Sequence, residues 1–305
     1  MNGPNAMYPC ISCEVSKNNL VEREHGNPRT LKNLVINHSY YDKNDVDKEK
    51  CKSCVARVIV NTEVEDNIVP LPLHIILGLV NQLFKTGEKK MLEWDEKKYP
   101  IQKKQQQRLT FHLRWKKIMN GLNVRLAKQH GGQLTGDACQ RLLYGYRFLS
   151  TAFIIGTAPT KHNPLPEPEE KYNDDVAWSI RYMSLIIKMK DIHSLIMRPT
   201  PLCNHEIKQV SSLVADLGME WRDMFDNVTP KLHQLEVHVP IFLAKHGTIG
   251  MCSEQSLERQ HKLFNRLDHT FRTMGEEEDR MRSIMKQVHL QEAYDIIVEN
   301  DVNNE

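Results

Sequence analysis

The 305-residue chain contains no apolar run approaching the ~18 residues that a membrane-crossing helix needs, so no membrane partner is expected. Its first residues, MNGPNAMYPC, carry neither a basic start nor an apolar stretch, so a secretory signal is not expected either. Aromatic residues are few at 7 %, and no internal repeat is present. Cysteines number seven, and an odd count argues against a complete disulfide framework. In a reducing compartment paired cysteines are more often metal ligands than disulfides. What remains is an ordinary globular mixture, 40 % apolar and 26 % charged.

The net charge of +2 hides a strong segregation. Between residues 97 and 141 stand eleven cations, Lys97, Lys98, Lys103, Lys104, Arg108, Arg114, Lys116, Lys117, Arg125, Lys128 and Arg141, against one acid, Asp137. The rest of the chain is correspondingly acidic. Such local density is what binding to a phosphate backbone requires, through Coulomb attraction and counterion release. The plain alternative is a solvated helix face or an exposed linker.

The apolar pattern predicts a mainly α fold with little or no sheet. Asn27 or Thr30 is placed to cap a helix through Leu34, and Val55 to Val60 are the one β-branched run with strand character. The stretch from Pro70 to His74 opens a helix with Leu73, Ile76, Leu77, Val80 and Phe84 on one face. A helix is expected over 109–130, stopped by Gly131-Gly132, and another after Thr135 or Asp137 through Ile154. Prolines 159, 164, 166 and 168 make 156–171 a loop, and they divide the chain into an N-terminal lobe (1–158) and a C-terminal lobe (173–305) around the segment 159–172. Residues 173–197 read as one helix. Ile207, Val210, Val214, Leu217, Trp221, Met224 and Val228 then alternate spacings of three and four, a full helical stripe for core packing. A helix over 229–245, a turn at 246–250, a helix from about Ser253 and a final charged helix with a polar tail complete the chain.

Cys10-Ile-Ser-Cys13 is a knuckle that can turn two sulfurs toward one ion, and His233-Gln-Leu-Glu-Val-His238 offers two imidazoles. Five residues advance a regular helix by ~500°, which leaves the two rings about 140° apart. Two unrelated helix histidines, one packed and one exposed, are the competing reading. Cys51-Lys-Ser-Cys54 is a second knuckle, a metal pair or simply two thiols, with His25, His38, His74 and Cys203 as candidate completing ligands. Cys139, Cys203 and Cys252 otherwise read as core or surface residues.

Several blocks, in order, resemble the C-terminal region of Transib-type transposases and of the large catalytic subunit of the RAG V(D)J recombinase. They are Tyr8-Pro-Cys10-Ile-Ser-Cys13, Arg29-Thr-Leu-Lys-Asn-Leu34, Pro72-Leu-His74-Ile-Ile-Leu-Gly78, Gly131-Gly-Gln-Leu-Thr-Gly136, the segment 229–250, and Glu258-Arg-Gln-His-Lys-Leu-Phe264. The match runs from about residue 8 to 275 and is thin in any one block. It implies a helical domain stapled by one structural zinc, with Cys10, Cys13, His233 and His238 as ligands. It also implies contact with DNA through the basic region, and a nuclear location, cytoplasmic being the alternative. Glu258 falls on the position of the family's metal-binding catalytic glutamate, and Glu254 on a neighbouring acid without that role. The family's two catalytic aspartates precede the knuckle on strands of a sheet; here nine residues without an aspartate precede Cys10. The expectation is therefore a non-enzymatic, DNA-binding or regulatory domain. The alternatives are a protein-interaction module, with a protein partner or a homodimer, and a magnesium-dependent nuclease piece completed by another chain. Removing a zinc ligand is expected to release the metal and collapse the helices.

Overall fold

The computed structural model describes residues 6–22, 25–41, 48–54, 68–98, 111–127, 131–157, 169–225, 227–252 and 255–302. Among them the chain is mainly helical, with no strand and only two isolated bridges, Cys13 to Pro28 and Ala127 to Gln133. The run Val55 to Val60 lies outside the described residues. The chain forms two compact units, residues 1–252 and 253–305.

The first unit begins with an arm of turns and short helices. Asn18–Glu22 is a 3-10 turn, α1 spans Leu31–Ser39, and Lys48–Cys51 forms a single helical turn. Thr30 caps α1, its hydroxyl accepting from the Asn33 amide at 3.1 Å. The arm has little core of its own. Cys10, Cys13, Val15 and Leu20 form one small buried cluster, and Leu34 with Cys54 another.

The helical body follows: α2 (Pro72–Lys98), α3 (Phe111–Gly121), α4 (Gly136–Tyr144), α5 (Tyr146–Thr157), α6 (Glu169–Ile196), α7 (Asn204–Met224), α8 (Pro230–His233), a π-helical turn (Gln234–His238) and α9 (Val239–His246). One continuous core joins residues from Ile75 to Ile249, so helices on both sides of the proline-rich segment share the same interior. Helix α2 is its axis. Besides the expected Leu73, Ile76, Val80 and Phe84, it buries Ile75, Leu79 and Leu83, because α3, α4, α6 and α8 all pack on it. At its C-terminal end the Asp95 carboxylate accepts from the amides of Phe111 and His112 at 2.8 and 3.0 Å. It thereby caps the otherwise unsatisfied start of α3. Trp94, Phe111, Trp115, Phe153, Trp178 and Tyr182 pack around this junction, mostly edge-on or tilted, with ring centroids 4.9–6.1 Å apart.

Three expectations change. The helix over 109–130 stops at Gly121, because Asn123 takes a left-handed φ of 53° and the Val124 amide turns back to the Met119 carbonyl. Gly131 and Gly132, at φ of 62° and 71°, shape the turn that closes the Ala127–Gln133 bridge instead of stopping a helix. The helices also run further into the proline-rich segment than a loop over 156–171 allows: α5 reaches Thr157 and α6 starts at Glu169, and residues 158–168 lie outside the described residues. The stripe in α7 is as expected, with Val210, Val214, Leu217 and Trp221 at 0–1 % exposure.

The second unit consists of α10 (Gln255–Thr270) and α11 (Glu277–Val302), packed on one another. Ile284 is buried, and Arg280 pairs with Asp268 at 3.2 Å. No helix among the described residues is long and apolar enough to cross a membrane.

Candidate metal centre

Cys10, Cys13, His233 and His238 meet in the first unit, all buried, with one ligand atom from each lying within 4.8 Å of the other three. Cys10 Sγ is 3.3 Å from His238 Nε2, and Cys13 Sγ is 3.3 Å from His233 Nε2. The two imidazoles stand nearly perpendicular, 74° apart, with centroids separated by 5.1 Å.

The knuckle is shaped from beneath by Arg29, a fully buried side chain. Its Nε donates to the carbonyls of Cys10 and Cys13 at 3.0 and 3.2 Å, and its backbone amide donates to Ser12. The Ser12 amide in turn points at Cys10 Sγ, 3.4 Å away. A guanidinium is a planar multi-donor group that can satisfy several carbonyls of a tight turn at once.

The histidine interval, awkward on a regular helix, is accommodated by a change of helix. Thr229 caps α8 and Pro230 enters it, but Gln234–His238 forms a π turn in which the Val239 amide bonds the Gln234 carbonyl, five residues back. A turn closed between i and i+5 brings residues five apart onto one face. Pro240 stands just beyond and has no N–H to give the Glu236 carbonyl in α register. The turn is gripped by an ion pair: Arg222 Nη1 and Nη2 each lie 2.7 Å from one Glu236 carboxylate oxygen. That carboxylate is 3 % exposed and lies so close to α7 that a Cβ at Gly218 would overlap it, so only glycine fits. Arg222 Nε reaches out to the Val21 carbonyl at 2.8 Å, linking the histidine turn, α7 and the arm.

Electrostatics favour a thiolate here. The Cys10 thiol is pushed down to about 2, first by the hydrogen bond that Cys13 donates and further by His233 and His238, against the effect of burial. The Cys13 thiol is pushed up, first through the same bond and then by burial. A thiolate in a buried site requires a cation to balance it, and a metal ion there would displace the proton that Cys13 otherwise keeps. A tetrahedral ion ~2.3 Å from sulfur and ~2.0 Å from nitrogen places its donors roughly 3.5 Å apart, so the observed separations fit such an ion. The tetrad is therefore a buried site able to hold one metal ion.

The second knuckle differs. Cys51 and Cys54 are both buried, yet among the described residues no third metal-ligating side chain joins them. Instead Arg29 Nη1 donates to Cys54 Sγ at 3.4 Å, Arg29 Nη2 to the Lys52 and Tyr8 carbonyls, and Cys51 Sγ to the Cys54 carbonyl. Burial pushes the Cys54 thiol up against the pull of Arg29, which keeps it protonated. Of the candidate completing ligands, His25 packs edge-on against His238, and His38 Nδ1 lies 3.4 Å from the Cys54 carbonyl. His74 sits in the first turn of α2, and the Cys203 amide starts α7 by donating to Glu206. Cys139 is buried in the body, while Cys203 and Cys252 are exposed.

Of the basic residues, Lys116, Lys117, Arg125 and Arg141 are exposed and Arg114 is half-buried. Lys97 and Lys98 end α2, and Lys103, Lys104, Arg108 and Lys128 lie outside the described residues. Glu258 falls on α10, in the second unit, and Glu254 lies outside the described residues. Arg29, Gly218, Arg222 and Glu236 carry no role that the sequence alone assigns. A glutamate between the two histidines and a glycine within the α7 stripe were visible signals, but nothing in the sequence pairs them. No family model matches the chain, and no curated protein matches it.

Proposed function

We propose that this chain is a zinc-stapled, transposase-like nuclear domain that binds DNA and does not cut it. The observation that carries the reading is the tetrad. A knuckle near residue 10 and a histidine pair some 220 residues later meet, as the resemblance to Transib and RAG proteins requires. Two thiolates and two imidazoles suit zinc, and four protein donors leave no coordination position for water or substrate, so the ion is structural. DNA contact falls to the basic segment. Helix α3, FHLRWKKIMNG, carries no acid and exposes Lys116 and Lys117, with Arg125 exposed in the turn after it. Lys97, Lys98, Lys103, Lys104, Arg108, Arg114 and Lys128 complete the electrostatic footprint.

The test is zinc content and duplex-DNA affinity on one purified sample. One zinc per chain is expected, together with a log affinity that falls with log salt by about 0.9 per phosphate contacted. A metal-free, folded protein, or an affinity indifferent to salt, would overturn the reading.

A second reading, an interaction module or homodimer, is favoured by Ile180 and Met219, exposed at 65 % and 52 % on the adjacent helices α6 and α7. It predicts concentration-dependent sedimentation and no response to DNA. Magnesium-dependent nicking lost in Glu258→Ala would instead point to a nuclease piece that another chain completes.

A further inference from the structure

The corner between α4 and α5, where the basic segment ends at Arg141, carries an exposed aromatic surface that charge alone does not account for. The two helices meet with only Gly145 between them. Arg141 and Tyr144, three apart, share the exposed face of α4, and Phe148 is exposed in the first turn of α5, four residues further along the chain. Phe148 is 63 % exposed and Tyr144 47 %, a large aromatic area to leave in water. Three cations border the corner, Arg141, Arg147 and Lys190. Arg141 is anchored through Nε and Nη2 to the Asn123 carbonyl at 3.2 and 3.0 Å, which ties it to the turn bearing Arg125. Arg147 lies beside Phe148, its Nε donating to the Tyr146 hydroxyl at 3.3 Å, and Lys190 Nζ stands 5.3 Å from the Tyr146 ring centroid. Tyr144 is also held: its hydroxyl lies 3.3 Å from Nδ1 of the buried His193, whose ring it meets edge-on. The nearby acids are Asp137 and Asp191, and Asp191 is tied to Lys190 at 2.8 Å.

From exposed rings alternating with fixed cations, we infer that this face binds unpaired nucleotides. Phe148 and Tyr144 serve as stacking platforms for bases, and Arg141, Arg147 and Lys190 hold the phosphates. Stacking of this kind tolerates any base sequence but requires bases released from a duplex, because paired bases present only their edges. The inference rests on the nucleic-acid-binding reading and narrows its ligand to single-stranded or melted DNA at this corner.

The test is fluorescence anisotropy with an oligo-dT strand and with a duplex of equal length, on the full chain. Phe148→Ala and Tyr144→Ala are expected to weaken single-strand binding about 5- to 150-fold, the loss of one stacked base. Duplex binding should change less than about twofold, the range of a surface substitution. Phe148→Trp and Tyr144→Phe, which keep a ring, should bind the strand as the parent does. Thermal melting of each variant confirms that the exposed substitutions leave the fold intact. Unchanged single-strand affinity in both alanine variants, with salt-dependent duplex binding preserved, overturns the inference and spares the broader reading. No binding to either probe overturns both. Altered sedimentation of Phe148→Ala with unchanged single-strand affinity would assign the face to a protein and overturn the inference.

Discussion

Two Cys-x-x-Cys knuckles lie against the same buried arginine, and their surroundings differ. Cys10 and Cys13 face two imidazoles, and Cys10 is held as a thiolate. Cys51 and Cys54 face the Arg29 guanidinium and backbone carbonyls, and burial keeps Cys54 protonated. The spacing is identical, so spacing alone does not decide which pair can take a metal. The decision lies in what the fold delivers to the sulfurs: in one case a helix turn widened to present two nitrogens, in the other a cation that already occupies the acceptor side of the thiol. Arg29 bonds both knuckles, so the second is a support for the first.

The largest expected effect comes from dismantling the first knuckle. Cys13→Ser or His233→Ala should abolish metal binding, measured as metal per chain. The collapse of the whole helical fold expected from sequence is revised by the core, which runs from Ile75 to Ile249 without Cys10 or Cys13. The arm, with four residues in its small cluster, is held to the body chiefly through the tetrad, beside the Arg222–Val21 bond and the contact with Val228. Loss of metal should expose residues 6–54 to limited proteolysis while far-ultraviolet dichroism stays largely helical. A fully unfolded spectrum would contradict this division.

Next in size is the grip on the histidine turn. Glu236→Gln or Arg222→Met breaks a bidentate pair whose carboxylate is buried, at a cost of about 3 kcal/mol, readable from urea denaturation. The double substitution should be less destabilised than the sum of the singles, and additive losses would show the pair to be uncoupled. Pro240→Ala returns an N–H that can bond the Glu236 carbonyl in α register, so metal affinity should fall roughly tenfold, as for other residues that orient ligands. Unchanged affinity would mean that the proline does not maintain the π turn.

The smallest effects belong to the second knuckle. Cys51→Ser should leave metal content unchanged and cost about 1 kcal/mol. Because its ionisation is pushed up, Cys54 should react with iodoacetamide more slowly than a free thiol at pH 8, its rate rising only at higher pH. Rapid labelling at pH 8 would place a thiolate there and erase the contrast between the knuckles.

Much of the fold was legible because helices announce themselves locally. The three-four alternation of α7 and the caps at Thr30 and Thr135, each one of two candidates, follow from side chains next to the backbone groups they satisfy. The four residues of the tetrad were legible from one moderate motif, one weak motif and a resemblance. What was not legible is how His233 and His238 share a face, since a regular helix was the only geometry that their spacing could be tested against. Long-range partners were hidden for another reason. Arg29 to Cys54 and Arg222 to Glu236 are pairings between elements that sequence periodicity does not bring together.

The central claim is that one knuckle holds a metal and the other does not. Native mass spectrometry of the zinc-loaded chain, beside the Cys10→Ser/Cys13→Ser and Cys51→Ser/Cys54→Ser double variants, measures it directly. The account predicts a single zinc on the parent, none on the first variant and a single zinc on the second. Two zincs on the parent, or zinc retained after the first knuckle is removed, would contradict it.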